Sequence, residues 1–288
     1  MPTGATRPVA HFFTVDVEEH FQVEALEHAV PRTEWDRHPS RVERNVTMLL
    51  EILARHRVSA TFFVLGWIAS RHPALVRLIA DGGHEVASHG YWHRRVSSMT
   101  LNDFRVDVRD AKAAIEDATG CAVQGFRAPG FSIVPGCEWA FDVLIEEGHE
   151  YDSSLFPVRR AGYGYPGSPR RPFVIDRPSG SLREYPMTTL DMWGMRLPAA
   201  GGGHLRRYPL GMTRRAFTES EERGASGVFY VPAWELDTEE SRSAAGPLAW
   251  ARRLGERANA PERIETLLGA FEFTSIARGA REEQELVA

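Results

Sequence analysis

Short apolar runs rich in β-branched and aromatic residues recur along the chain: "VAHFFTVDV", "ATFFVLG", "HEVASHG", "VQGFRAPG" and "GVFYVPAW". Their length and composition predict buried strands. Between the first two lies "RVERNVTMLLEILARHRV", which places Val42, Val46, Leu49, Leu50 and Leu53 at helical spacing on one face. "HPALVRLIADGG" predicts a helix closed by glycine, and "TLNDFRVDVRDAKAAIEDATG" a helix with a threonine or asparagine cap and Gly120 at its end. Strands that alternate with amphipathic helices bury both sheet faces by forming a parallel sheet with crossover helices. The chain is therefore expected to adopt an α/β fold.

From Asp152 to about Gly203 the pattern loses its period, and "GYGYPGSPRRP" is rich in glycine, proline and arginine. This predicts a long surface insertion near 157–205, of the kind that borders a binding cleft. Alternation then resumes, with a helix over "YPLGMTRRAFTESEERG", the strand "GVFYVPAW", and a capped helix and last strand over "PERIETLLGAFEFTSIARGA". No repeat divides the 288 residues, so a single domain over 1–288 is expected. The triplet Gly201, Gly202 and Gly203 lacks a phosphate-loop context and reads as a turn.

A formal charge of −5 argues against nucleic-acid and anionic-membrane partners, which need a basic excess. No window approaches the roughly 18 consecutive apolar residues of a membrane span, and "MPTGATRPVAHFF" does not read as a signal peptide, so a cytoplasmic location is expected. Cys121 and Cys137 read as two thiols in a reducing compartment.

Reactive groups of parallel sheets gather at the C-terminal ends of strands. Here those ends carry Asp16 and Glu18, then His89 and His93, then Arg127, then Asp152. With 11 histidines in the chain, a pair four positions apart arises readily by chance, so "SHGYWH" alone does not define a metal site. One carboxylate with two imidazoles, however, is a common ligand set for a catalytic divalent ion. Asp16 and Glu18 alternate along a strand and point the same way, which lets one bind metal while the other takes a proton. An arginine such as Arg127 would keep that base ionised and oriented.

"TVDVEEHF", "SHGYWHR", "FRAPGFS" and "YDSSLFP", in this order, resemble the successive motifs of the polysaccharide deacetylase family with the NodB homology domain (carbohydrate esterase 4-like). The likeness is closer to the branch associated with exopolysaccharide biosynthesis, with counterparts for "GGGHLRRYPL" and "RIETLLGAFEFTSIA" and a C-terminal extension, here near 236–288. The resemblance implies a distorted, incomplete (β/α) barrel. It implies a metal-dependent hydrolase that removes N-acetyl groups from an amino-sugar glycan, with a divalent cofactor, zinc by preference, and relatives that often form homo-oligomers.

Carried over to this chain, the resemblance makes Asp16 the general base and His89 and His93 metal ligands. Glu18 is the third ligand, ahead of Glu19. Arg127 tethers Asp16, Asp152 orients a catalytic acid, and Trp234 borders the substrate. The backbone N–H groups near Gly130 and Phe131 stabilise the oxyanion. One position departs from the family: where relatives carry a histidine that protonates the departing amine, "FYVPAWELD" has Pro232 and Ala233. His20, His204 and Glu235 are the candidate substitutes. That departure motivates a second reading, a homologue that binds glycan without turnover; a third keeps the enzyme and changes the substrate, because some proteins on this scaffold resemble cyclic-amide hydrolases of the allantoinase-like kind.

Overall fold

The structure is a computed structural model and describes residues 9–237 and 260–287. The first eight residues, and the 238–259 part of the expected C-terminal extension, lie outside the described residues. The predicted parallel sheet is present. β1 (His11–Val17) is buried along its whole length and lies between β2 (Thr61–Val64) and β10 (Val228–Pro232). Beyond β2 come β3 (Glu85–Ser88), β4 (Gly125–Phe126) and β5 (Tyr151–Asp152), all parallel. A two-residue strand, β11 (Phe273–Thr274), also pairs with β1.

The helices have the expected local causes. α1 (Val42–His56) turns Val42, Val46, Leu49, Ile52 and Leu53 into the core. Its N-terminal amides are capped from a distance, because Glu19 accepts from Arg41 N at 2.9 Å and Val42 N at 3.1 Å. α2 (Gly66–Arg71) and α3 (Pro73–Asp81) follow β2, and α3 begins on Pro73, where a missing N–H is harmless. α4 (Leu101–Thr119) starts at Thr100, whose hydroxyl accepts from Asp103 N, and stops at Gly120 in the left-handed region. α5 (Trp139–Glu146) precedes β5.

The stretch expected to be irregular holds two hairpins. β6 (Phe173–Arg177) and β7 (Gly180–Glu184) are antiparallel and extend the main sheet beyond β5, while β8 (Thr189–Met192) and β9 (Met195–Pro198) pair with each other. These strands have exposed positions on one face and glycine-rich turns, so their apolar signal is weak. α6 (Gly203–Arg207) and α7 (Leu210–Glu222) lead into β10, and α8 (Ala260–Leu268) and α9 (Ile276–Val287) flank β11.

The sheet order is β10-β1-β2-β3-β4-β5-β7-β6, and no pairing joins β10 to β6 among the described residues. Irregular backbone spans that gap: Met187 N donates to Leu155 O at 2.9 Å, and Thr188 N to Val228 O at 3.4 Å. This is the incomplete, distorted barrel the motifs imply. The C-terminal ends of β1, β3, β4 and β10 meet at one rim.

Candidate metal and acid-base site

The hexapeptide "SHGYWH" is a loop rather than a helical turn. It leaves β3 through Gly90 at φ 73° and reaches His93 at φ 50°. Asp107, on α4, holds the bend by accepting from Tyr91 N at 2.8 Å and Trp92 N at 3.2 Å. A side chain at position 90 would come within 2.7 Å of that carboxylate, so the loop requires glycine there.

This bend brings His89 and His93 together, with ring centroids 5.3 Å apart. His89 Nδ1 lies 2.8 Å from the Arg127 carbonyl oxygen, which makes Nδ1 the donor and leaves the lone pair on Nε2. Glu18 Oε2 lies 2.6 Å from His93 Nε2 and 4.0 Å from His89 Nε2. Buried though it is, this oxygen has no hydrogen bond of good geometry. One ligand atom from each of the three residues falls within 4.8 Å of the others. Three lone-pair donors converging on a small buried volume suit a divalent cation.

The electrostatics agree. Burial pushes the Glu18 carboxyl up, but the charge of His93, its contact with that ring, His89 and the Trp234 indole together bring it below its ordinary range. Burial lowers His89. His93 is raised despite burial, by Glu18 and Asp16. Glu18 and Asp16 thus concentrate negative potential on the two rings.

Asp16 stands beside this cluster as the buried base candidate. Its Oδ1 accepts from Arg127 Nη1 at 2.9 Å. Arg127 is fully buried, and its remaining donors are engaged by Thr14 Oγ1 at 2.7 Å, Ser153 O at 3.0 Å and Ser153 Oγ at 2.9 Å. Trp234 approaches from the C-terminal side of the chain and donates its indole N–H to Glu18 Oε1 at 2.8 Å. Glu19 is absent from the cluster because its carboxylate caps α1.

Asp16, Glu18, His89, His93, Gly130, Phe131 and Pro232 all line one cavity of about 400 Å³. Asp152 does not line it. Its carboxyl accepts from Ser154 Oγ at 2.5 Å and lies opposite Glu184 in the sheet register, apart from the groups on the cavity wall. The Phe131 N–H donates to Ala128 O at 3.0 Å, which leaves Gly130 as the backbone amide available to the oxyanion reading.

Pro232 pairs in register with Asp16, so no proton donor occupies the position of the family's histidine. Of the three substitutes, His204 is the one that reaches the cavity wall. The bridge between Gly201 and Tyr230 and the bond from Gly202 N to Tyr230 O set α6 beside β10, and the His204 Nδ1 is buried without a partner. Burial lowers His204 to about 4, with Arg207 and Arg160 adding to the effect. His20 instead packs edge-on to Trp234 at 5.2 Å. Sequence reasoning missed Tyr163, Tyr230, Glu24, Arg95 and Arg207 on the wall, because none belongs to a motif with a chemical spacing.

Comparison with known proteins gives a consistent result. The polysaccharide deacetylase family profile matches residues 33–135, and a domain of unknown function (DUF3473) matches residues 153–280. A chitooligosaccharide deacetylase of Sinorhizobium fredii is 40% identical over 97 residues, which are 33% of this chain and 42% of that protein. A peptidoglycan deacetylase of Helicobacter pylori is 30% identical over 118 residues, 39% of this chain and 38% of that protein. The chain thus spans less than half the length of these curated relatives. In fold, a protein assigned to the polysaccharide deacetylases of Mycobacterium smegmatis superposes with a TM-score of 0.64 at 21% identity, covering 98% of this chain and 93% of that one.

Proposed function

Because the chain carries a polysaccharide deacetylase domain of the NodB type, we propose that it hydrolyses N-acetyl groups of an amino-sugar glycan, releasing acetate and a free amine. The observation that carries this reading is the buried Glu18 oxygen facing two imidazole Nε2 atoms, next to a carboxylate that Arg127 holds in place. Glu18, His89 and His93 would hold the divalent ion. When bound, such an ion supplies Lewis-acid polarisation and makes a water more acidic.

The chain's own residues account for the rest. Asp16 is kept in position by the Arg127 guanidinium and accepts the proton of the attacking water. Gly130 lines the cavity, and its amide would stabilise the oxygen on which charge develops. Burial and the Arg207 and Arg160 charges lower His204 to about 4, which supports Asp16 handing on to the departing nitrogen the proton it has taken. The ordered C-terminal motifs support placing the reaction in exopolysaccharide biosynthesis.

Pro232 favours a second reading, a glycan-binding homologue without turnover. Incubation of metal-loaded protein with N-acetylglucosamine oligomers, followed by an acetate assay, separates the two. Acetate release that falls at least 10²-fold in Asp16→Asn and in His93→Ala is expected, roughly the contribution of general-base catalysis for the former. Undiminished activity in His93→Ala sinks the metal assignment, and a metal-loaded wild type that releases no acetate favours the binding reading.

A further inference from the structure

One guanidinium on the cavity wall stands apart from the ion pairs found there among the described residues. Of the carboxylates there, Asp16 is paired with Arg127 and Glu24 with Arg95, while Glu18 belongs to the cluster that would hold the ion. Arg207 lines the same cavity and has no carboxylate partner among the described residues. The segment carrying Arg159 and Arg160 borders the site, with Tyr163 on the cavity wall and both arginines on adjoining grooves. Those two are also without acidic partners among the described residues, and Asp191, which shares their groove, is engaged by Arg170 and Arg196.

Arg207 is on the cavity wall, and Arg160 lies three residues before Tyr163, which is on the same wall. Burial lowers His204 and raises Tyr163, both on that wall, and the Arg207 and Arg160 charges act on each in the lowering direction. In a chain of net charge −5, uncompensated guanidiniums converging on a substrate cleft form an anion-recognition feature. The planar fork of arginine matches carboxylate and phosphate oxygens.

We infer that Arg160 and Arg207 form a subsite for an anionic group, carboxylate or phosphate, carried by the glycan beside the N-acetyl sugar that enters the cavity. This rests on the deacetylase reading for the identity of that sugar. A glycan of N-acetylglucosamine alone offers neither guanidinium a counter-charge, whereas an acidic neighbour supplies one.

Three probes of similar size test the subsite: a neutral N-acetylglucosamine tetramer, a tetramer alternating N-acetylglucosamine with glucuronic acid, and a short N-acetylglucosamine oligomer bearing a terminal phosphate. Binding is measured by isothermal titration calorimetry and turnover by acetate release, on wild type, R160Q/R207Q and R214Q, a control at an exposed arginine that does not line the cavity. At least one acidic probe is expected to bind roughly tenfold or more tightly than the neutral one, with the gap closing in 0.5 M salt and in R160Q/R207Q but not in R214Q. Which acidic probe wins identifies carboxylate or phosphate as the group. Equal affinity for all three, or a preference that survives in R160Q/R207Q, overturns the subsite. Calorimetry reads it without turnover, so selective binding with no acetate released would sink the deacetylase reading while leaving the subsite standing.

Discussion

Arg127 carries more of the site than any other side chain. Its guanidinium is fully buried, lies 4.1 Å from the Phe63 ring centroid, and bonds β1, through Thr14 and Asp16, to the turn after β5 at Ser153. Removing one partner of a buried pair leaves the other charge uncompensated, at a cost of about 3–5 kcal/mol. Arg127→Met is therefore expected to lose that much stability in urea titration and to abolish acetate release. The double variant with Asp16→Asn should recover much of the stability and none of the activity. A single variant within 1 kcal/mol of wild type would show that the pair is not the brace described. The importance of Arg127 was legible from "FRAPG" in its ordered company of motifs, whereas its partners Thr14 and Ser153 were not. Both are small hydroxyl residues that only the fold brings within reach. Glu19 shows the converse: it stands next to Glu18 in "VEEH", and only the position of α1 reveals that it is a helix cap.

At the scale of elements, β5 and β7 place two acids side by side where the sequence suggested one functional residue. Asp152 and Glu184 are register partners, both fully buried. Burial raises Asp152 to about 6, and burial together with the Asp152 charge pushes Glu184 well above its ordinary range. With both raised, the pair is expected to hold one proton between its carboxyls near neutrality. A carboxyl raised in the fold contributes its full stability below the unfolded value near 4 and loses it as pH rises through about 6. Glu184→Gln keeps a donor toward Asp152 and removes one titration. It should match wild type in thermal midpoint at pH 4.5 and exceed it at pH 8. A difference that does not change with pH would refute the shared proton. The sequence did not reveal this arrangement, because β5 is two residues long and the β6–β7 hairpin alternates too weakly to read as sheet. The long elements were readable: α1 and α4 carry clear apolar stripes, and β1 is apolar on both faces apart from its buried polar residues.

At the scale of the whole molecule, the site depends on both ends of the chain. The polysaccharide deacetylase match over 33–135 holds His89, His93 and Arg127 but omits Asp16 and Glu18, while Trp234 and Pro232 fall in the 153–280 match. One sheet joins them. Thr14 Oγ1 donates to Phe229 O at 2.7 Å, Asp16 pairs with Pro232 across β1 and β10, and Phe13 packs on Phe229 and Phe273. A 288-residue chain is large enough to unfold in stages, so cooperativity is a consequence of this particular topology and can be checked. With β1 between β2 and β10, losing the C-terminal strands strips one edge of β1 and exposes its apolar face, so neither matched region should persist alone. Calorimetry of the full chain should give one transition with van't Hoff and calorimetric enthalpies in agreement, coincident with tryptophan fluorescence. Zn²⁺ or Co²⁺ should raise the midpoint for both probes together, since an ion bound only by the folded state stabilises the whole cooperative unit. Two resolved transitions, with only the first moved by the ion, would mean that the two matched regions fold independently and that Trp234 joins the site only by docking.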